Sequence, residues 1–256
     1  MKIFITGASG FIGKYVTEEL KKENQLFLLE KDLKDLKIWK QEVIDFKPET
    51  AIHLAWEAIP DYGYENSRKN LGYGLDLLEL LFQAKCQNVI MPGSCWEKYP
   101  QPFNAFSAAK TALHWLGKKF CEEKGINFVW ARFFFVYGKG QKESSLIPYL
   151  LKCKKENQTP ELKNPFQKSD FIHVEDVAKA VTMLVKKRPL SGEYDIGSGT
   201  LTSAAEVAGI LFPGIKIKAG EQKTSDNPLA DISKIKNEIG WAPSVTLEEG
   251  VKKMLN

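Results

Sequence analysis

The sequence TGASGFIG occupies Thr6–Gly13, directly after the apolar run Lys2–Ile5. The same stretch opens a helical pattern in which Ile12, Val16 and Leu20 recur every four residues. Glycines at this spacing permit a tight turn, a close approach of the backbone to a phosphate, and close packing of helix on strand. A helix N-terminus also presents free N–H groups and a partial positive charge. The stretch therefore predicts a strand–turn–helix unit that binds a dinucleotide pyrophosphate.

The first half of the chain alternates short apolar runs with helical patterns. After Lys2–Ile5, strands are predicted at Gln25–Leu29, Thr50–Leu54, Asn88–Met91 and Ile126–Ala131. Helices are predicted at Gly13–Lys22, Asp35–Phe46, Asn66–Ala84 and Asn104–Glu122. This alternation implies parallel strands with right-handed crossovers, so the predicted fold class is α/β with a doubly wound parallel (Rossmann) sheet. The short span Glu30–Leu33 leads straight into a helix, so the usual third strand is predicted to be missing or fused.

The pattern changes after Gly138. Helical segments near Ser144–Lys155, Glu175–Lys187, Ala204–Leu211 and Ile232–Ile239 are separated by loops rich in Pro, Gly and Lys. Two of the later helices are predicted to begin with capping boxes, at Ser203 and Thr246. We predict a Rossmann domain over residues 1–138, to which 170–200 returns, and a small C-terminal substrate-binding lobe formed mostly by 139–256.

Composition narrows the possible partners. The 256 residues are 43% hydrophobic, which is enough for a full core, and the formal net charge is only +4. Lys and Glu are interleaved, which disfavours a nucleic-acid surface. Four cysteines without a C-x-x-C pair, and three histidines, disfavour a zinc site. No leader sequence precedes the first strand and no apolar run reaches membrane-span length, so we expect a cytoplasmic protein without a membrane partner.

Further motifs resemble those of a known family. They are IHLAW at Ile52–Trp56, Asn70, DFIHVEDVA at Asp170–Ala178, GEYDIGSG at Gly192–Gly199 and the stretch Ala230–Pro243. Taken in order along the chain, they resemble the extended short-chain dehydrogenase/reductase family of the NAD-dependent epimerase/dehydratase type. The resemblance implies an enzyme that binds NAD or NADP and acts on a sugar linked to a nucleoside diphosphate. It also implies a homodimer, formed through the helices predicted at Asn66–Ala84 and Asn104–Glu122.

The resemblance implies a catalytic Ser or Thr, a Tyr and a Lys. Lys110 matches the Lys, but Phe106 occupies the Tyr position four residues earlier. Ser94 best matches the hydroxyl, and Cys95 takes that place in an alternative register. In the family the Lys lowers the phenol pKa, and the phenol exchanges a proton with the sugar oxygen as hydride moves. The ring of Phe106 has no proton to give.

Four interpretations of Phe106 stay open. It is an introduced Tyr→Phe change; or another acid, such as Tyr99, Cys95 or a water, replaces the phenol. Alternatively the protein binds its ligands without catalysis, or the helix aligns differently with the family.

The cofactor prediction combines the glycine turn with the family motifs. Glu30 can accept hydrogen bonds from the adenosine ribose, which favours NAD, whereas Lys31 can pair with the 2′-phosphate of NADP. The residues predicted to bind the cofactor are Gly7, Ser9, Gly10, Phe11, Ile12, Gly13, Glu30, Lys31, Asp32, Leu33, Leu54, Ala55, Trp56, Asn70, Lys110 and Phe133.

The substrate prediction rests on the resemblance alone. Phe135 stands where the family usually has Asn, and Lys223 matches an Arg that grips the diphosphate. The residues predicted to bind the substrate are Trp56, Ser94, Cys95, Trp96, Phe135, Leu146, Ile147, Lys168 and Lys223.

The reaction is predicted from what the motifs contain and lack. Cys95 and Trp96 occupy the places of the acidic pair of family dehydratases, and Glu97 lies one residue too far, which disfavours dehydration. The span Glu30–Leu33 and the strand within Trp130–Gly138 resemble reductases of dTDP-4-keto sugars. We therefore expect NAD(P)-dependent reduction of a 4-keto sugar nucleotide. A C4 epimerase is the second expectation, and a non-catalytic NAD(P)H-sensing or sugar-nucleotide-binding protein is the third.

Overall fold

The computed structural model describes residues 1–214 and 226–255. Its strands are β1 (Lys2–Thr6), β2 (Gln25–Leu29), β3 (Thr50–His53), β4 (Asn88–Ser94), β5 (Asn127–Phe133), β6 (Phe135–Tyr137), β7 (Lys168–His173), β8 (Gly192–Ile196) and β9 (Leu201–Ser203). Its α-helices are α1 (Phe11–Leu20), α2 (Leu36–Phe46), α3 (Tyr64–Gln83), α4 (Ala105–Lys124), α5 (Leu146–Lys155), α6 (Val174–Lys187), α7 (Ala204–Leu211), α8 (Ser233–Ile239) and α9 (Leu247–Lys253). Short 3-10 helices lie at Leu33–Asp35 and Cys95–Lys98.

Six strands form one parallel sheet in the order β2-β1-β3-β4-β5-β8. This order confirms the predicted doubly wound α/β fold. Within the described residues no strand lies beyond β2, so the third strand of the usual order is missing, as the short span after β2 predicted.

Both faces of the sheet are covered by helices, which explains why the strands read as nearly continuous apolar runs. Side chains alternate between the faces along β1. Ile3 and Ile5 pack with Val16 of α1 in the core on one face. Phe4 packs with Trp39 of α2 in the core on the other face.

The central strands are longer than predicted. β4 and β5 pair residue by residue from Asn88 with Asn127 to Ser94 with Phe133. The predicted strand ended at Met91, but the pairing with β5 carries β4 through Pro92 and Gly93. The extension places Ser94 at the carboxyl end of β4, where parallel α/β sheets bind ligands.

The remaining strands form a small second sheet in the order β6-β7-β9. Tyr137 and Ile147 belong to a separate apolar core there, together with residues of α7 and α9. The proposed boundary after residue 138 follows β6 directly, while β8 lies beside β5 in the main sheet. Both predicted capping boxes form, since the Ser203 and Thr246 hydroxyls accept backbone N–H bonds from the third helical residues at 3.2 and 3.3 Å.

No helix in residues 1–214 or 226–255 is long and apolar enough to cross a membrane. Over the same ranges, no cluster of three or more His, Cys, Asp or Glu side chains could hold a metal ion.

Candidate active site

The glycine turn lies between β1 and α1. Gly7 has φ +72°, and a Cβ added there would lie 2.5 Å from the backbone N of Ala55. A Cβ on Gly13 would overlap the carbonyl oxygen of Gly7. Gly10 is the N-cap of α1, so no side chain of the N-cap residue bonds to the first N–H groups of this helix. The turn is thus a cradle that side chains would fill, and the free N–H groups of the first helical turn suit a pyrophosphate.

Further predicted cofactor residues follow β2. Leu29 pairs with Thr6, so exposed Glu30 lies beside the turn. Lys31 forms an ion pair with Glu42, which engages its ammonium. The other two predicted residues differ in environment: Asp32 pairs with Lys34 at 3.0 Å, and Leu33 is buried.

The end of β3 connects the turn to the buried ammonium of Lys110. The residues after β3, Leu54 and Ala55, are those that Gly7 approaches. The ring of Trp56, the next residue, has its centroid 3.9 Å from Lys110 Nζ. His53, at the end of β3, has its pKa lowered to about 3 by burial and by the charge of Lys110.

Lys110 is buried on α4 and donates to the Pro92 carbonyl at 2.8 Å. Burial lowers its pKa to about 7, against the opposing effect of the Glu97 carboxylate. The ammonium is thus held between a backbone carbonyl and the π face of Trp56.

Phe106 lies in what we call the aromatic cluster, formed by Trp56, Tyr62, Trp96 and Phe106. The Phe106 ring centroid lies 5.3 Å from that of Trp56, 5.2 Å from Tyr62 and 5.7 Å from Trp96. A cavity of about 170 Å³, which we call the site cavity, is lined by Ile59, Tyr62, Ser94, Cys95, Trp96, Phe106, Phe134 and Phe135. The structure therefore brings Ser94, Cys95, Trp96, Phe106 and Phe135 together as predicted neighbours.

The two predicted alternative acids have different surroundings. Cys95 is 4% exposed, and burial raises its pKa to about 12. Tyr99 does not line the site cavity as described; its hydroxyl donates to Asn227 at 2.8 Å and its ring packs against Phe103. Cys95 thus borders the cavity as a buried thiol among apolar side chains, whereas Tyr99 lies outside the cavity lining as described.

Glu97 lies beneath the site rather than in it. Its side chain is 3% exposed, accepts from Trp130 Nε1 at 2.8 Å and from the Ser94 backbone N–H, and lies 3.9 Å from Arg132 Nε. Arg132 also pairs with Asp195 at 2.9 Å. Glu97 is therefore engaged in supporting the turn at Ser94.

Asn70 is buried on α3 and holds the loop that follows β3. Its side-chain oxygen accepts from Glu57 N–H at 2.7 Å, and its amide donates to the Asn66 carbonyl at 2.7 Å. The predicted contact of Asn70 with a cofactor stays a prediction.

Several predicted residues lie away from the site cavity as described. Phe133 is buried in β5, and Ile147 is buried in the core of the small second sheet. Leu146 begins α5 and is partly buried, whereas Lys168 is exposed at the start of β7. Lys223 lies outside the described residues.

Sequence reasoning missed three residues that line the site cavity, namely Ile59, Tyr62 and Phe134. The first two belong to the loop between β3 and α3. Loops after parallel strands carry ligand sites in such sheets, so the aromatic residue in this Pro- and Gly-containing loop was an available signal.

The fold and the glycine turn define a dinucleotide-binding protein of the Rossmann class. The chain belongs to the NAD dependent epimerase/dehydratase family, whose model matches residues 3–197. This match confirms the resemblance drawn from the motifs and places the chain among nucleotide-sugar epimerases, dehydratases and reductases.

Two curated relatives span the whole chain. CDP-abequose synthase of Salmonella muenchen is 28% identical over 285 residues, covering 100% of this chain and 97% of the relative. UDP-glucuronate 4-epimerase 2 of Arabidopsis thaliana is 23% identical, covering 100% of this chain and 75% of the relative.

Solved structures share the fold. UDP-glucose 4-epimerase from Thermotoga maritima, in complex with UDP-glucose, superposes with a TM-score of 0.88 at 19% identity, covering 100% of this chain and 97% of the other. UDP-glucose 4-epimerase from Thermus thermophilus, in complex with NAD, gives 0.84 at 20% identity, covering 100% and 98%.

Proposed function

We propose that this protein reduces a 4-keto group on a nucleoside-diphosphate sugar with NADH or NADPH. The observation that carries the proposal is the juxtaposition of three features at one edge of the sheet. Gly7 in the glycine turn approaches the backbone of Leu54 and Ala55, and the Trp56 ring lies over the Lys110 ammonium. Ser94 lines the site cavity beside the aromatic cluster. The relatives named CDP-abequose synthase favour reduction within the family.

The residues present fit the cofactor. The backbone of Gly7, Gly10 and Gly13 would hold the pyrophosphate, and Glu30 would accept the ribose hydroxyls. Lys110 would bind the nicotinamide ribose, as the corresponding Lys does in the family. When bound, the reduced nicotinamide supplies the hydride. Because Lys31 is engaged by Glu42, NAD is proposed ahead of NADP.

On the substrate side, Ser94 would hold the keto oxygen through its hydroxyl. The site cavity of about 170 Å³ is smaller than the roughly 300–1,000 Å³ of pockets that enclose whole drug-sized ligands. We therefore propose that it takes the sugar, with the nucleotide lying outside it.

The test is turnover with a panel of 4-keto sugars carried on UDP, dTDP, GDP and CDP. Loss of absorbance of the reduced cofactor, with formation of the alcohol, supports the reductase. Phe103, which is exposed outside the cavity, offers a matched control for variants at Phe106. No cofactor consumption on any member of the panel contradicts the proposal.

A C4 epimerase is the second candidate, because full-length relatives are named UDP-glucuronate 4-epimerases. An epimerase converts the sugar nucleotide without net consumption of NAD(P)H, so the same assay separates the two. A third outcome, cofactor binding without sugar-nucleotide binding, supports the non-catalytic NAD(P)H sensor.

A further inference from the structure

We propose that Tyr62 is the catalytic proton donor, supplying the phenol that Phe106 lacks. This inference rests on the proposed reductase function, and it assigns the acid of that same site. Three observations support it: the position of the Tyr62 ring, the surroundings of the other candidate acids, and the hydrogen bonds that anchor the loop between β3 and α3.

Tyr62 lies against the ring that has lost its hydroxyl. Its centroid is 5.2 Å from Phe106 and 5.0 Å from Trp96. It lines the site cavity together with Ser94, so a residue with a phenol and a residue with a hydroxyl border the same space. A substrate carbonyl oxygen held by Ser94 in this cavity would therefore lie near the Tyr62 side chain.

The other candidate acids are less well placed. The thiol of Cys95 packs with Phe134 and Ala230 in an apolar cluster, and burial raises its pKa to about 12. Tyr99 donates to Asn227 away from the cavity. The ammonium of Lys110 is covered by Trp56 and bonded to a backbone carbonyl. Among the described residues that line the site cavity, Tyr62 is thus the one that carries a phenol.

The loop that carries Tyr62 is tied to the start of α3 on both sides of the ring. Asp61 accepts from Gly63 N–H at 2.9 Å and from the Asn66 amide. Glu57 is bonded to Asn70 at 2.7 Å. These bonds hold the aromatic ring in place without using the phenol hydroxyl, which is the arrangement that a positioned acid needs.

Tyr62 is half-buried, and burial together with nearby Cys95 raises its pKa above the ordinary phenol value. It therefore keeps its proton at neutral pH. Sugar alkoxides are stronger bases than phenolates, so transfer from this phenol to an alkoxide is downhill.

The hydride of NADH or NADPH adds to the carbonyl carbon, the C=O π pair becomes an oxygen lone pair, and the cofactor is oxidised to NAD⁺ or NADP⁺. The new alkoxide takes the proton of the Tyr62 hydroxyl, whose O–H bond breaks. The tyrosinate then regains a proton from water, which reaches it because the side chain is only partly buried.

The experiment compares Tyr62→Phe with Tyr64→Phe, a matched change at a phenol that is 68% exposed two residues away. For Tyr62→Phe we expect kcat to fall by roughly 10²–10⁴-fold, the usual contribution of a general acid. KM and the calorimetric affinities for NADH and for the sugar nucleotide should stay unchanged. Tyr64→Phe should match the unchanged protein in all of these.

A double variant, Tyr62→Phe with Phe106→Tyr, adds a readout that a structural role would not move. It should recover turnover, because a phenol again faces the cavity. The alkaline limb of kcat, where the acid has lost its proton, should lie above the free phenol value of about 10 in the unchanged protein.

Tyr62→Phe with unchanged kcat overturns the inference and leaves the reductase standing. So does a loss of cofactor or substrate affinity that accounts for the whole fall in rate, because it shows a purely structural role. Inactivity of the unchanged protein on the entire panel is a different result, since it contradicts the proposed function itself.

Discussion

Introducing a phenol at position 106 is the sharpest perturbation that the site offers. Phe106 is 6% exposed, and Lys110 Nζ lies 5.9 Å from its ring centroid. In Phe106→Tyr the new hydroxyl extends from a ring that already packs against Trp56 and Tyr62. We expect the folded structure to accept the change, since one oxygen is added at the border of an open cavity.

The magnitude follows from the separation of 5.9 Å. At an effective dielectric constant of about 20, the attraction between an ammonium and a phenolate at that distance is about 3 kcal/mol. This attraction is lost where Lys110 is neutral, and burial lowers the pKa of Lys110 to about 7, below the usual phenol value near 10. Burial therefore dominates at the pH where the phenol titrates, so we expect its pKa to stay at or above about 10 and kcat to rise at least about tenfold, because a phenol again occupies this position.

Two assays check this prediction. An ultraviolet difference titration of Phe106→Tyr against the unchanged protein reports the pKa of the added phenol, and turnover on the 4-keto panel reports kcat. Phe103→Tyr, at an exposed aromatic position, is the control for an added phenol as such. A phenol at 106 that titrates well below the free value, or a variant with no gain in rate, refutes this reasoning.

The remaining predictions concern the turn, Lys110 and the oligomer. Gly7→Ala should lower affinity for NADH at least about tenfold in a fluorescence titration, because φ +72° is strained for Ala and its Cβ would meet Ala55. The pKa of Lys110 is lowered to about 7, so its protonation opposes folding and stability should rise from about pH 7 to 10. Lys110→Met should remove that rise in denaturant titrations and reduce kcat by roughly a hundredfold or more. We propose a homodimer through α3 and α4, where Trp115 and Leu116 are 52% and 53% exposed. Light scattering of Leu116→Glu should show monomers, whereas an unchanged mass contradicts this interface.

The glycine turn and the strand–helix alternation could be predicted because their causes are local. Gly7 and Gly13 are required by backbone approaches within the first unit and to the end of β3. The parallel strands are apolar because helices cover both faces. The end of β4 was predicted too early, because Pro92 and Gly93 break strands locally while pairing with β5 continues through them.

The site was harder to predict where it depends on how loops fold over the sheet. Ser94, Cys95 and Phe106 are brought together as the motifs suggested, but Tyr62 reaches them only through a loop anchored by Asp61 and Asn70. No periodicity records such an approach. The burial of Glu97 beneath Ser94 also depends on long-range partners, since Trp130 and Arg132 come from β5.

The central claim is that the backbone at Gly7–Gly13 binds the pyrophosphate of a pyridine dinucleotide. Isothermal titration of the purified protein with NAD⁺, NADH, NADP⁺ and NADPH tests it directly. We expect saturable one-site binding of at least one of them, weakened in Gly7→Ala. No measurable affinity for any of the four would contradict the account, whatever the role of position 106 proves to be.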